Sequence, residues 1–430
     1  MKNILLLSYY DYGGAGTFNL KICETFINLG YQVQMLVLDK KSNSDFVIQI
    51  PVEKKQANFF DRLINRLKRK IQNVFKSDSK YDSRYYFYNE DESKSFITQE
   101  ILEKYITIKP DIIIGSWTSN FINFETLGQL SNKYSSLVFV LMADMAPLTG
   151  GCHYSLDCDG YKVDCSNCPA ILDPNNKNRA SHNLLLRRKA VEKYGIRSIA
   201  VSGESLSQLQ SSFLFSDQKP TPFINGIIDT NIFNFKKRDI AKRVFDIPDD
   251  AIVIAAGANS ISDPRKGFKE LNESFLYLNE KLIEADKVVY FHLLGTEDCF
   301  NWDFSNIHVI KTATINNLLF LTLFYQAADL YISPSLADTG PVMVSQALFS
   351  GTPVIGFEVG FVNDFVVNGI NGYKVKNFDS IELSNKIFSL LFEENFKHDA
   401  KFISTSLGNS FLPVHLNDFV QDVLMKSDVK

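Results

Sequence analysis

Residues 329–373 read DLYISPSLADTGPVMVSQALFSGTPVIGFEVGFVNDFVVNGINGY and indicate the fold more clearly than any other stretch of the chain. An apolar run leads into a polar loop, then into a helical pattern, and then into a second apolar run. Acidic, amide and glycine residues cluster where the two predicted strands end. Because ligands bind at the carboxyl ends of strands in an open α/β sheet, this stretch predicts a binding site.

The same alternation continues through the full length of 430 residues. Short β-branched or Leu-rich runs alternate with longer amphipathic segments, which is typical of parallel βα units with helices on both sheet faces. The predicted strands cover residues 4–8, 32–38, 111–115, 137–144, 198–202, 252–256, 288–295, 307–311, 329–334 and 353–357. The predicted fold class is α/β, with two doubly wound parallel sheets.

Two prolines and an Asn-Gly turn interrupt the segment KPTPFINGIIDTNIF at residues 219–233. Such residues interrupt helices and strands, so we place a domain boundary there. The predicted domains are residues 1–222 and 223–400, followed by a helical segment at 401–430. A hydrophobic content of 45% is sufficient for two cores.

The composition excludes some classes of function. A net charge of -4 and a pI near 5.9 argue against a nucleic-acid-binding surface. The start, MKNILLLSYYDYGGAG, lacks a secretory h-region, and no window has the roughly 18 to 20 apolar residues that span a bilayer. We expect a cytoplasmic protein. A basic amphipathic pattern at residues 60–75 fits either a helix at the inner face of the cytoplasmic membrane or a helix packed on the sheet.

The stretch at 329–373 resembles the donor-site signature of retaining GT-B glycosyltransferases, in particular glycosyltransferase family 4. Asp338 and Gln346 fall on the two acidic positions of its Glu, seven residues, Glu pattern. The resemblance implies that Asp338 lies near the donor sugar hydroxyls and that Gln346 accepts hydrogen bonds from the nucleotide ribose. Gln346 keeps an acceptor oxygen without the charge.

Gly340 and Pro341 lie between these two positions, before a predicted helix. A tight turn there brings backbone N–H groups against the donor phosphates at the helix N-terminus, and proline contributes none. The candidate N–H groups are those of Gly340, Val342 and Met343.

The segment GANSISDPRKGF at residues 257–268 supplies the expected cations. In the family, a basic pair from this region clamps the donor diphosphate, and fixed cations stabilise the leaving charge without a metal. Lys266 matches the family lysine. The arginine position is open, since Asn259 stands near the expected place and Arg265 precedes Lys266.

In the first domain, DYGGAG at residues 11–16 links a strand to a helix. It is not a dinucleotide fingerprint, so we do not infer NAD. A glycine here lets the backbone approach a ligand, and Gly14 is the candidate for donor binding. Helix packing alone is the alternative.

Residues 142–171, MADMAPLTGGCHYSLDCDGYKVDCSNCPAI, resemble a segment of family members that build bacterial surface polysaccharides, such as lipopolysaccharide or capsule. Many relatives have a histidine where Ala143 stands here. Asp144 is the candidate for orienting the acceptor hydroxyl or stabilising charge at the anomeric carbon. A capping aspartate is the alternative.

Four cysteines in this segment follow the spacing C-x5-C-x6-C-x2-C: Cys152, Cys158, Cys165 and Cys168, here called the cysteine cluster. Inside a cell, such a cluster favours structural zinc over disulfides, and reduced thiols are the other interpretation. His153 is an alternative ligand. The resemblance implies no catalytic cofactor.

The family resemblance implies two Rossmann-like domains that face each other across a cleft, with a C-terminal helix that returns to the first domain. It also implies retaining transfer of a sugar from a nucleoside diphosphate donor to a glycan or lipid-linked acceptor. The catalytic candidates are Asp144, Lys266 and Asp338. The competing hypotheses are a GT-B nucleotide-sugar epimerase and a non-catalytic binding subunit.

Overall fold

The computed structural model describes residues 2–51, 80–88, 91–218, 224, 227–393, 399–408, 416 and 419–421. The chain separates into two compact units. Unit 1 comprises Met1–Ser198 and Leu209–Lys219, and unit 2 comprises Ile199–Gln208 and Pro220–Lys430. The boundary after residue 222 and most of the segment 401–430 lie outside the described residues, and both stay predictions.

A six-stranded parallel sheet forms the centre of unit 1, in the order β3-β2-β1-β4-β5-β6. Its strands are β1 Asn3–Tyr10, β2 Gln32–Asp39, β3 Val47–Gln49, β4 Ile112–Gly115, β5 Leu137–Leu141 and β6 Arg197–Ile199. The register aligns Leu5 of β1 with Ile113 of β4. Both are fully buried, as expected for a sheet covered on both faces.

A second six-stranded sheet has the order β12-β11-β10-β7-β8-β9. Its strands are β7 Val253–Ser260, β8 Val289–Thr296, β9 Ile307–Thr312, β10 Leu330–Ser333, β11 Val354–Phe357 and β12 Gly372–Val375. The paired strands run parallel, with Ile332 of β10 between Ile355 of β11 and Ala256 of β7. The carboxyl ends of β7, β10 and β11 therefore lie at one edge.

Helices connect the strands in both units. They are α1 Gly13–Asn28, α2 Gln99–Glu103, α3 Phe124–Tyr134, α4 Arg179–Tyr194, α5 Gly203–Ser211, α6 Arg238–Val244, α7 Phe268–Glu284, α8 Leu318–Gln326, α9 Val342–Phe349, α10 Phe361–Phe365, α11 Ser380–Phe388 and α12 Ala400–Thr405. Apolar residues at helical spacing form the buried face of α1, including Ile22 and Phe26. Asn123 caps α3, since its side chain accepts a hydrogen bond from the Thr126 N–H.

The predicted α/β class with two doubly wound parallel sheets is confirmed, and every predicted strand overlaps an observed one. The prediction missed β3, which has three residues, and β12, whose residues are only partly apolar. The strand predicted at 137–144 ends at Leu141, because the Ala143 N–H turns back to donate to the Leu141 carbonyl oxygen at 2.8 Å.

The helix predicted at residues 60–75 lies outside the described residues. Within the part of the chain that the structure describes, no helix combines the length and the apolar character needed to cross a bilayer.

Candidate active site

Two cations and a carboxylate meet beside the end of β10 in unit 2. Arg265 and Lys266 lie in a short turn between β7 and α7, and Asp338 lies in the loop between β10 and α9. Lys266 Nζ lies 2.5 Å from Asp338 Oδ2, and Arg265 Nη1 lies 3.4 Å from the same oxygen. The structure therefore brings two adjacent predicted site residues, Arg265 and Lys266, to a third, Asp338, that lies 73 and 72 positions away from them in sequence.

Local hydrogen bonds fix this turn. Asp263 accepts hydrogen bonds from the Arg265 N–H and from Arg265 Nη2, at 3.0 and 3.1 Å. Gly267 follows the turn with φ +69°, and a Cβ there would lie 1.8 Å from the Pro334 carbonyl oxygen. Only glycine allows this approach, so Gly267 holds the cationic turn against the end of β10.

The charges of this cluster set its electrostatics. Burial would raise the pKa of Asp338, but the neighbouring charges of Lys266 and Arg265 outweigh burial and lower this pKa below its ordinary value. Asp338 is therefore ionised at neutral pH. With Asp263, the cluster holds two cations and two carboxylates and is formally neutral. A ligand diphosphate has to compete with Asp338 for Lys266.

The first turn of α9 lies next to this cluster. Pro341 is the N-cap residue, and Val342 and Met343 begin the helix, where the first N–H groups have no partner within the helix. The Gly340 N–H already donates to Asp338 Oδ1 at 3.2 Å. Of the three predicted phosphate-binding N–H groups, those of Val342 and Met343 are the better placed, and phosphate binding stays a prediction.

Gln346 lies one turn further along α9. The hydroxyl of the buried Tyr325 donates to Gln346 Oε1 at 2.8 Å and fixes the amide. An amide oxygen has a second lone pair, so this contact leaves one acceptor position for a ribose hydroxyl. The ribose contact stays a prediction. Sequence reasoning missed Tyr325, because nothing in its local pattern indicates a partner on another helix.

Glu204 is a second residue that sequence reasoning missed. Within unit 2, its Oε2 accepts a hydrogen bond from the Gly360 N–H at 2.7 Å, while Asp364 Oδ2 accepts one from the Gly203 N–H at 2.7 Å. Burial raises the pKa of Glu204, and the charges of Asp364 and Asp338 raise it further. A Cβ on Gly360 would lie 2.7 Å from the Asp338 carbonyl oxygen. Glu204 therefore positions the loop that packs against Asp338.

In unit 1, Asp144 is buried and makes two hydrogen bonds. Its Oδ1 accepts from the Ala146 N–H at 2.8 Å, as the capping interpretation predicts, and its Oδ2 lies 2.7 Å from His153 Nδ1. His153 Nε2 lies 2.9 Å from Ser119 Oγ. Both ring nitrogens of His153 are thus engaged, which argues against His153 as a metal ligand. An imidazole does contact Asp144, although Ala143 occupies the position of the family histidine.

Gly14 is the second residue of α1. Among the described residues, nothing lies within 4 Å of a Cβ added there. The close approach occurs instead at Gly16, where a Cβ would lie 2.6 Å from the Asp11 carbonyl carbon. Gly16 therefore serves packing, and a ligand contact at Gly14 stays a prediction.

All four thiols of the cysteine cluster line one small cavity, together with Tyr85, Phe87 and Thr149. Burial raises the pKa of Cys165 to about 12, and burial also raises the pKa of Cys152 and Cys168. Metals bind thiolates, so a metal would have to displace these protons on binding. In the described ranges, no group of three or more His, Cys, Asp or Glu residues is arranged to hold a metal ion. Structural zinc stays a prediction.

Residues 263–406 match the family Glycosyl transferases group 1. This segment contains Arg265, Lys266, Asp338 and α9. No curated protein sequence matches the chain.

Solved structures resemble the chain over almost its whole length. Sucrose-phosphate synthase from Thermosynechococcus elongatus has a TM-score of 0.63 at 14% identity, covering 99% of this chain and 100% of the other. HepE from Anabaena, in complex with UDP-glucose, has a TM-score of 0.59 at 13% identity, covering 99% and 100%. WaaG, a glycosyltransferase involved in lipopolysaccharide biosynthesis, has a TM-score of 0.60 at 12% identity, covering 97% and 98%. At these identities the similarity shows the fold.

The fold and the matched domain thus agree with the enzyme class that the donor-site motif predicts. We identify the chain as a glycosyltransferase of GT-B architecture that carries a glycosyl transferases group 1 domain.

Proposed function

We propose that this enzyme transfers a sugar, with retention of anomeric configuration, from a nucleoside diphosphate sugar to a glycan or lipid-linked acceptor in polysaccharide biosynthesis. The observation that carries the proposal is the Lys266, Arg265 and Asp338 cluster beside the N-terminus of α9. Fixed cations and a helix N-terminus at a strand edge are suited to a diphosphate.

In this proposal the bond between the anomeric carbon and the diphosphate oxygen breaks, and Lys266 stabilises the negative charge that develops on that oxygen. The acceptor hydroxyl attacks the same face and passes its proton to the leaving phosphate. The protein then contributes orientation and charge stabilisation. Retention is inferred from the resemblance to family 4.

Two structural relatives support the choice of substrates. HepE binds UDP and UDP-glucose, and WaaG is involved in lipopolysaccharide biosynthesis. A uridine diphosphate sugar is therefore the first donor to test, with a bacterial surface glycan as acceptor. The proposed transfer includes no step in which a metal takes part. Contact with a membrane through residues 60–75 remains a prediction of the sequence.

The test measures thermal stabilisation by a panel of nucleotide sugars, because a ligand that binds only the native state raises apparent stability. The donor that stabilises best is then assayed for release of the nucleoside diphosphate. Stabilisation by a nucleotide sugar followed by diphosphate release supports the proposal. Formation of an epimerised nucleotide sugar supports an epimerase, and binding without turnover supports a non-catalytic subunit. If no nucleotide sugar in the panel stabilises the protein, the transferase, epimerase and binding-subunit hypotheses are all contradicted.

A further inference from the structure

A serine, a histidine and an aspartate in unit 1 form a chain of side-chain contacts. Ser119 Oγ lies 2.9 Å from His153 Nε2, and His153 Nδ1 lies 2.7 Å from Asp144 Oδ2. All three residues are buried. A hydroxyl, an imidazole and a carboxylate in this order and at these distances form the arrangement that activates a serine for acyl transfer.

The fold of unit 1 brings these residues together from separate loops. Ser119 lies in the loop between β4 and α3, and Asp144 lies three residues beyond β5, which pairs with β4. A turn fixes the serine, since the N–H groups of Phe121 and Ile122 both donate to the Thr118 carbonyl oxygen, at 3.0 and 3.1 Å. The carboxyl ends of two neighbouring strands thus place the hydroxyl and the carboxylate within reach of one imidazole.

The imidazole of His153 is held in one orientation. Asp144 Oδ1 accepts from the Ala146 N–H at 2.8 Å, which fixes the carboxylate. Because a carboxylate can only accept, the Nδ1 that faces it carries the hydrogen, and Nε2 is left to accept the serine hydroxyl. The rings of Trp117 and Tyr88 pack on the imidazole, with centroids 4.8 and 5.0 Å away. This is the tautomer and the support that a general base requires.

The three residues line a small cavity together with Ser116 and Trp117. Its volume of about 10 Å³ has room for one water-sized group, such as a methyl. Ser116 is also buried, and within the described part of the chain its Oγ has no hydrogen-bond partner. Buried hydroxyls usually have partners, so this one indicates a ligand atom in the cavity. A network that only held the loop would need neither the space nor a spare donor.

We propose that Ser119 is the nucleophile of an acetyl-ester hydrolase site in unit 1, with His153 as its general base. Asp144 is a positioning residue, because it orients the base. The substrate class is the acetyl ester of an alcohol, and Ser116 Oγ donates to its carbonyl oxygen. This activity is separate from the proposed sugar transfer and needs no nucleotide.

The reaction has two balanced steps. Ser119 Oγ forms a bond to the acetyl carbonyl carbon while its proton passes to His153 Nε2. The bond between that carbon and the alcohol oxygen then breaks, and the alcohol leaves with the proton from His153. In the second step a water molecule attacks the acetyl-serine and gives a proton to His153, acetate leaves, and the proton returns to Ser119.

The test uses the full chain and small probes without any nucleotide. Methanesulfonyl fluoride should attach one methanesulfonyl group per chain with release of fluoride, and peptide mapping should place it on Ser119. p-Nitrophenyl acetate should be hydrolysed with saturation. p-Nitrophenyl butyrate should be hydrolysed about 10-fold more slowly or worse, because the cavity has no room for its longer chain.

Four variants assign the roles. Ser119→Ala should lose both the adduct and the saturable hydrolysis, and His153→Gln should lower hydrolysis about 100-fold or more. Ser116→Ala should slow hydrolysis about 100-fold, as for loss of one donor to the carbonyl oxygen, and should still carry the adduct on Ser119. The matched control is Ser155→Ala, which removes another buried hydroxyl of the same loop, one that contacts Met145 Sδ at 3.3 Å. It should retain both activities.

Three results would overturn the hydrolase site. They are an adduct on a residue other than Ser119, the absence of any adduct, and hydrolysis by folded Ser119→Ala at the wild-type rate. Urea unfolding shows whether each variant is folded. If Ser119→Ala does not fold, the position of the adduct in the wild type decides the question.

Discussion

Replacement of Lys266 tests the centre of the proposed donor site. Lys266→Met keeps most of the side-chain volume and removes the charge. The lysine Nζ lies 2.5 Å from Asp338 Oδ2, and the two side chains are 23% and 15% exposed. The matched control is Lys269→Ala, which removes an exposed lysine three residues away and changes the net charge equally.

The structure sets the size of two effects. At 2.5 Å and an effective dielectric constant of about 20, the attraction between Lys266 and Asp338 is about 6 to 7 kcal/mol before desolvation. After desolvation, a hydrogen bond to a charged group contributes about 1.5 to 3 kcal/mol. Lys266→Met should therefore lower the free energy of unfolding by about 1.5 to 3 kcal/mol. Turnover should fall about 100-fold or more, as for loss of one transition-state donor.

The assay measures diphosphate release from the donor that stabilises the wild type, together with urea unfolding of each variant. Lys269→Ala should retain both turnover and stability. Near-normal turnover of a folded Lys266→Met protein would refute the role of Lys266. A stability loss without a larger loss of turnover would assign Lys266 to structure alone.

Four further predictions concern other parts of the chain. Asp338→Asn should tighten UDP binding several-fold while lowering turnover, because Lys266 is then no longer neutralised; weaker UDP binding would contradict the cluster as described. Gly267→Ala should cost about 2 kcal/mol or more in urea unfolding, because its Cβ would clash with the Pro334 carbonyl oxygen, whereas Gly14→Ala should leave stability unchanged or raise it. Burial lowers the pKa of His292 from 6.5 to about 4. Between pH 6.5 and 4, His292 therefore binds a proton in the unfolded chain but largely not in the folded one. The free energy of unfolding of the wild type should fall by about 3 kcal/mol as the pH falls from 6.5 to 4, and that of His292→Gln should fall less. Elemental analysis of protein purified without chelator should find about one zinc per chain if the cysteine cluster binds zinc, and a much lower content would remove that prediction.

The parts of this molecule that follow from local pattern were predictable, and those that depend on distant side chains were not. Apolar runs with Gly or Pro boundaries predicted strands such as β1 and β10 because parallel strands are buried on both faces. The motif predicted Lys266 and Asp338, and the fold brings them together. The Tyr325 hydroxyl on Gln346 and the Glu204 carboxylate on the Gly360 N–H join residues 21 and 156 positions apart. No periodicity encodes such contacts.

For Asp144, the sequence predicted the capping contact with the loop but not the contact with His153. A carboxylate at the end of a strand predicts either a cap or a functional group. The structure shows the capping contact, and the functional role stays a prediction. One oxygen accepts from the loop N–H of Ala146, and the other contacts His153, which is nine positions away. The missing histidine at Ala143 therefore does not mean that an imidazole is absent from the site. The imidazole comes from a residue nine positions after Asp144 rather than from the residue directly before it.

The Arg265, Lys266, Asp263 and Asp338 cluster of unit 2 is formally neutral because the fold pairs its charges. This neutrality affects how a donor would bind. Lys266 is paired with Asp338, so a diphosphate gains its attraction only by replacing one anion with another. Lys266 stays neutralised before and after binding, but the exchange takes this partner from the largely buried Asp338, which is costly unless new hydrogen bonds replace it. Asp338 then loses a charge partner and becomes available to hydrogen-bond donor-sugar hydroxyls. On the proposed function, we therefore expect the site to favour a ligand that carries phosphate and sugar together over one that carries phosphate alone, and Asp338→Asn should reduce that preference by removing the competing anion.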